Sequence, residues 1–465
     1  MSKRLYIETV GCQMNVLDSE LVVAGLVEAG YELVDSPRKA DAILFNTCSV
    51  RQHAEDKIYS ALGRLKPLKE RRPEMIIGVL GCMAQKDQAL VFRRASHVDL
   101  VVGPGQLSRL PTLLEEVATD RRARLEVSLD RDAGGPSGDG PTFASFDPPR
   151  AAALRAVPHQ AMVRIMFGCN KFCTYCIVPK VRGPERSRPA AEIEAEVRRL
   201  VDGGCLEVTL LGQTVNSYKD AGPGGTIRLA DLLVRLHEIE GLRRLKFVTN
   251  YPRHMTDELL QAVRDLPKVS PYLHVPAQSG SDAVLQRMKR GYSAGSYREM
   301  IERIRKTVPG AAVISDFIVG FCGETEDDFQ QTADLVRWGR FKNSFIFKYS
   351  PREGTRAFEM YEDDVPEDVK RRRNNELLAI QDAISLEDSQ PLLGRRVEIL
   401  VEGPSKSARK RPPAAGQTVQ LVGRTVCDRI VVFDGPTELT GRLLTVEIEK
   451  VDAFTLYGKV TGERS

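Results

Sequence analysis

The chain has 465 residues, 42% hydrophobic and 28% charged, with a formal net charge of +4. That length suits about three domains, and the charge balance permits a nucleic-acid partner without arguing for one. No apolar run approaches the roughly 20 residues of a membrane span. The start, MSKRLYIETVGC, passes from a basic pair into strand-like alternation instead of a signal-peptide block, so a cytoplasmic protein is expected.

From Leu5 to about Ala118 short apolar runs alternate with amphipathic stretches. LYIETVG reads as a strand and Val16–Ala29 as a helix. AILFNTC and Gln52–Leu65 repeat the pair, as do MIIGVLGC and Gln85–Ala95, and VDLVVG adds a fourth strand. This rhythm predicts a parallel sheet with helices on both faces. Asp130–Arg150 is rich in Gly, Pro, Ser and Asp and reads as an exposed, flexible linker. From about His159 the alternation resumes in some six βα units, from AMVRIMF to SFIFKYS, which predict a partial or complete parallel barrel, with an open doubly wound sheet as the competitor. Asp364–Gln390 reads as a charged helix. Beyond it RVEILVEG, RIVVFDG, LLTVEIEKV and FTLYGKV predict a small antiparallel barrel carrying a basic loop, Ser405–Gly416. The fold class is therefore α/β, with expected divisions at 1–125, a linker 126–158, 159–390 and 391–465.

Nine cysteines in a reducing compartment point to metal or redox chemistry, not disulfides. Cys169, Cys173 and Cys176 lie in GCNKFCTYCIVP, directly after the first strand of the second β/α region. A closed structural zinc site needs four ligands, usually two separated pairs. Three thiolates in a tight run instead suit a cubane iron–sulfur cluster with one iron left open. Cys12, Cys48 and Cys82 each stand just past the carboxyl end of a predicted strand. In a parallel sheet those ends share one edge, so the three can converge. The competing reading is three small cysteines packed beside glycine turns. Cys205, Cys322 and Cys427 are solitary; the first two are expected to pack in or near the core, and Cys427, in the small C-terminal domain, is read as incidental. The six histidines show no metal spacing; His274, at a predicted strand end, is in reach of the active site, with a packed or surface histidine as the preferred reading.

GCNKFCTYCIVPKVRGPERSR resembles the radical S-adenosylmethionine methylthiotransferases, and TVGCQMNVLDSE resembles their tRNA-modifying subgroup, the 2-methylthio-isopentenyladenosine synthases. LLGQTVNSY, HVPAQSGSDAVLQRMKRGY, SDFIVGFCGETEDDF and YSPREGTRA extend the resemblance over nearly the whole chain. Cys322, TNYPRH and Glu353 depart from the usual pattern. The resemblance implies two [4Fe-4S] clusters, one on Cys169, Cys173 and Cys176 and an auxiliary one on Cys12, Cys48 and Cys82. It also implies a C-terminal RNA-binding barrel of the TRAM type and a methylthio group added at carbon 2 of isopentenyl-adenosine 37 of tRNA. The added sulfur is expected to be methylated by one S-adenosyl-L-methionine, while another supplies the radical that an unactivated C–H bond demands.

For S-adenosyl-L-methionine the expected contacts are Gly212, Gln213, Gln278 and Asp316, all near strand ends where turn residues are also common. Arg182, Arg186 and Arg188 are expected either to meet phosphate or cofactor carboxylate or to form a solvated loop. The runs Lys370–Arg373 and Lys406, Arg409, Lys410, Arg411 are read as RNA-facing, with plain solvated surface as the alternative. Expected partners are tRNA, an electron donor such as flavodoxin or ferredoxin, and a sulfur source. A monomer is expected, and no membrane. The competing functions are the same chemistry on a ribosomal protein, or a non-catalytic RNA-binding or electron-carrier protein.

Overall fold

The computed structural model describes residues 3–49, 52–129, 146–222, 224–410 and 418–463. Most of the expected 130–150 linker, and Arg411, lie outside these.

The first unit is a six-stranded, wholly parallel sheet in the order β2-β1-β3-β4-β5-β6, from β1 (Lys3–Val10), β2 (Tyr31–Leu33), β3 (Ala42–Thr47), β4 (Ile76–Gly81), β5 (Leu100–Val102) and β6 (Arg124–Glu126). β3 and β4, AILFNT and IIGVLG, are buried at every residue, as strands covered on both faces must be. Two apolar cores, one per face, follow from that. The order reverses between β1 and β3. In open α/β sheets such a switch point opens a crevice at the strands' carboxyl ends.

The second unit holds two three-stranded parallel sheets. One is β13-β10-β7, from β7 (Gln160–Arg164), β10 (Glu207–Leu211) and β13 (Arg244–Phe247). The other is β14-β15-β16, from β14 (Tyr272–His274), β15 (Ala312–Val319) and β16 (Asn343–Lys348). They join through a parallel bridge between Leu245 and Val269 and through Asn250 N–H donating to His274 O. The result is a partial barrel of six strands; among the described residues β7 and β16 do not pair. Two minor ladders interrupt it, β8 (Met166–Phe167) with β9 (Arg186–Ser187) and the hairpin β11 (Lys219–Gly222) with β12 (Gly225–Arg228). One core, containing Leu210, Phe247, Phe317 and Phe329, fills the space between strands and helices.

The third unit is a closed barrel in the order β17-β18-β19-β21-β20, from β17 (Arg396–Pro404), β18 (Val419–Thr425), β19 (Ile430–Gly435), β20 (Leu443–Val451) and β21 (Thr455–Glu463). Closure leaves no open edge. The first two units pack as one body. Met14, Leu17 and Leu21 of the helix Gln13–Glu28 bury against Leu211 and Met162 of the barrel.

Candidate iron–sulfur sites at the strand ends

Cys12, Cys48 and Cys82 follow β1, β3 and β4, so two of the three flank the switch point. Cys12 caps the helix Gln13–Glu28, its Sγ 3.2 Å from Asn15 Oδ1. Asn15 Nδ2 donates to Asn46 Oδ1 at 3.1 Å, and Asn46 Nδ2 donates to Asn15 O and Ser19 Oγ, both at 2.9 Å. This buried amide pair fastens the β1 and β3 ends together. Gly81, at φ +87, lets the chain turn beside it, where a Cβ would stand 2.3 Å from Asn46 Oδ1.

The three thiols interact. Cys48 donates a hydrogen bond to Cys12 and, against an opposing effect of burial, with help from the Arg182 charge, pulls its thiol down to about 6. Burial pushes Cys82 the other way, opposed by Arg182. Arg182 is itself buried and belongs to the second unit, in the short helix Val178–Arg182 just past Cys176. Its Nε donates to Cys82 Sγ at 3.2 Å and its Nη2 lies 2.8 Å from Asp18 Oδ2. Arg352 ion-pairs Glu55 at 3.7 Å and is within electrostatic reach of Cys48.

Cys169, Cys173 and Cys176 form a loop held at several points. Cys169 N–H donates to Gly183 O, and Thr174 exchanges backbone bonds with Met288 and Ala357. Gly168 has φ +62, and a Cβ there would sit 2.0 Å from Pro184 O. Burial and the neighbouring Cys173 push Cys176 up to about 12, and burial raises Cys169. Arg290, buried beneath the loop, donates from Nη1 to Cys173 Sγ and Tyr175 Oη, both at 3.2 Å, and from Nε to Tyr292 Oη at 2.8 Å.

The two loops touch, because Cys82 packs on Ile177 and Val181 immediately after Cys176. Among the described residues no group of three or more His, Cys, Asp or Glu is placed to hold a metal ion. A cubane takes each thiolate on a different iron, so its ligands stand farther apart than those sharing one ion. The donor set fits such a group. A buried guanidinium against sulfur suits a thiolate, the form in which cysteine binds metal.

Of the expected cofactor contacts, Asp316 Oδ1 lies 2.9 Å from His274 Nε2. Gln278, at φ +72, donates its N–H to Asp316 O and accepts from Ile318. These three residues form one polar group between the end of β14 and the middle of β15, where Asp316 lies inside the strand and not near its end as expected, and His274 is part of it. Gly212 packs on Met166, with room for no side chain, and Gln213 Oε1 is buried without a hydrogen-bond partner among the described residues. They stand past β10, in the other half of the barrel.

The arginines are a correction. Arg182 and Arg188 are neither solvated nor open to phosphate; both are buried, Arg188 between Glu196 at 2.7 Å and Asp147 at 3.3 Å. Lys370 pairs with Asp363, and Arg373 with Glu324 and Glu326, so half of that basic run is internal. Arg182, Arg290 and Arg352 lay in quoted motifs, but only the fold reveals which sulfur each approaches.

The Radical SAM superfamily matches residues 163–336 and the uncharacterized protein family UPF0004 matches residues 4–103. A radical S-adenosylmethionine methyltransferase, TsrM, from Kitasatospora setae has a similar fold, with a TM-score of 0.52 and 13% identity over 77% of each chain. Fold and superfamily together define a radical S-adenosylmethionine protein with an additional cysteine-bearing sheet. A tRNA-2-methylthio-N(6)-dimethylallyladenosine synthase of Rhodopirellula baltica is 58% identical over 99% of this chain and 96% of its own. The synthase of that name from Moorella thermoacetica is 43% identical over 98% of each chain. The chain belongs to this family of radical S-adenosylmethionine methylthiotransferases.

Proposed function

We propose that this chain is the enzyme that adds a methylthio group to carbon 2 of isopentenyl-adenosine at position 37 of tRNA, using S-adenosyl-L-methionine and two [4Fe-4S] clusters. The observation that carries the reading is the packing of Cys82, from one triplet, on Ile177 and Val181 of the segment that directly follows Cys176 of the other. Cys169, Cys173 and Cys176 would hold the radical cluster, and Cys12, Cys48 and Cys82 the auxiliary one. When bound, the clusters and S-adenosyl-L-methionine supply the radical and sulfur chemistry that side chains lack. The chain's own residues bind, orient and shield. Asp316, Gln278 and Gln213 are assigned polar contacts to S-adenosyl-L-methionine, and Gly212 the close backbone approach. Arg290 keeps Cys173 in place beside Tyr175 and Tyr292.

We assign residues 1–125 to the auxiliary-cluster domain, 126–158 to a linker, 159–390 to the radical domain and 391–465 to a TRAM-like RNA anchor, with Lys406, Arg409 and Lys410 as its candidate phosphate contacts. Electrons would come from a flavodoxin or ferredoxin and sulfur from a separate donor. The protein would act as a cytoplasmic monomer; among the described residues no helix is long and apolar enough to cross a membrane.

Nucleoside mass spectrometry of tRNA from cells lacking this chain tests the reading. Loss of the methylthio group with accumulation of isopentenyl-adenosine is expected, and an unchanged nucleoside profile overturns it. Anaerobic reconstitution should give about eight irons per chain. Cys173→Ala should abolish reductive cleavage of S-adenosyl-L-methionine, whereas Cys48→Ala should retain cleavage and lose sulfur insertion.

A further inference from the structure

The auxiliary thiols are not completed within their own unit. Arg182 crosses from the radical unit, buries its guanidinium, and divides it between Cys82 Sγ at 3.2 Å and Asp18 Oδ2 at 2.8 Å. Its position is fixed from both sides. Asp18, fully buried on the helix that starts after Cys12, also accepts from Arg164 Nη1 of β7 at 3.1 Å. Arg164 in turn bonds Asp147 Oδ1 at 3.0 Å. The backbone beneath Arg182 rests on Cys82 through Ile177 and Val181. A guanidinium so held cannot swing to solvent, and the sulfur it faces is a far stronger acceptor as a thiolate than as the neutral thiol.

We infer that Arg182 is a positioning residue of the auxiliary site: it lends a fixed positive charge and a hydrogen bond to the Cys82 sulfur and so raises the reduction potential of a cluster bound at Cys12, Cys48 and Cys82. This rests on the ligand assignment proposed above. Net charge and hydrogen bonds to the sulfurs are the protein's main means of setting such potentials. A cation beside a ligand sulfur favours the more negative, reduced state. The same residue joins the two cysteine loops, since it lies six positions past Cys176 and contacts Cys82.

The test uses the full chain carrying Cys169→Ala, Cys173→Ala and Cys176→Ala, so that the auxiliary cluster gives the only iron signal. After anaerobic reconstitution, its midpoint potential is read by redox titration followed by electron paramagnetic resonance. Adding Arg182→Gln should shift the midpoint to lower potential. Arg182→Lys, which keeps the charge but not the planar fork, should fall between the two. If Arg182→Gln does not load iron, the lysine variant alone decides, a smaller downward shift supporting the role. An unchanged or raised potential in the variants that load iron overturns it while leaving the ligand assignment intact. A parent protein that binds no iron at all overturns the ligand assignment, and the inference with it.

Discussion

At the scale of single residues, the two triplets are electrically unlike. Cys12 accepts from Cys48 and feels Arg182, which bring its thiol down to about 6, whereas burial and Cys173 hold Cys176 up to about 12. Only the thiolate is nucleophilic. In reduced, iron-free protein at pH 7, iodoacetamide should therefore modify Cys12 faster than Cys176 by roughly tenfold or more. The Cys12 rate should rise through about pH 6 and level off, while Cys176 is still gaining reactivity in alkali. Peptide mass spectrometry at a series of pH values reads both, and equal rates would show that the cysteines share one environment. The spacing CxxxCxxC is local, so Cys169, Cys173 and Cys176 were legible as a unit. The convergence of Cys12, Cys48 and Cys82 was legible because all three follow strands of one parallel sheet. Arg182 was not, since its partners Cys82 and Asp18 lie 100 and 164 positions away along the chain.

At the scale of elements, the cysteine loop depends on a glycine that no other residue can replace without strain. Gly168 combines φ +62 with the backbone of Gly183 and Pro184 where a side chain would begin. Gly168→Ala should cost about 2 kcal/mol or more, because the left-handed strain and the clash with fixed carbonyls add. A lowered thermal midpoint of the iron-free protein, with less iron taken up on reconstitution, is the expected result; wild-type values for both would mean the loop can shift freely. Periodicity located the long strands and helices but missed β2, β6, β9, β11, β12 and β18. The first five are two to four residues each, too short to show a period, and β18 follows residues read as a basic loop. It also read Gln85–Ala95 as one helix. The chain instead breaks at Gln88, φ +47, into Cys82–Asp87 and Leu90–Arg94. The run Lys370–Arg373 misled for a related reason. On a helix packed against the barrel, Lys370 and Arg373 face inward to acids while Arg371 faces out. A linear charge count cannot tell these faces apart.

At the scale of the whole molecule, the small closed barrel is fixed to the end of the partial barrel opposite the cysteines. Asp428, in the turn between β18 and β19, accepts from Lys246 Nζ and Arg424 Nη1, both at 2.9 Å, and its carbonyl accepts from Lys342 Nζ at 2.7 Å. Arg244, the first residue of β13, donates from Nη1 to Arg424 O at 2.7 Å, and Lys342 stands just before β16, so these contacts gather at the amino ends of the partial-barrel strands. Burial alone would raise the Asp428 carboxyl, but Lys246, Arg424 and Lys342 outweigh it and hold the group below its usual range. A carboxylate whose folded pKa is depressed contributes stability that is complete above its unfolded value, about 3.9, and fades as pH falls through the folded one. Asp428→Asn removes the anion shared by Lys246 and Arg424, which keep Glu207 at 3.0 Å and Glu402 at 2.9 Å, and at pH 7 should destabilise the junction by about 1–3 kcal/mol. Thermal unfolding of the two proteins should therefore differ most at pH 5 to 7 and converge below about pH 4. A gap that persists undiminished at pH 3 would mean that packing of the β18–β19 turn, not the Asp428 charge, holds the small barrel in place.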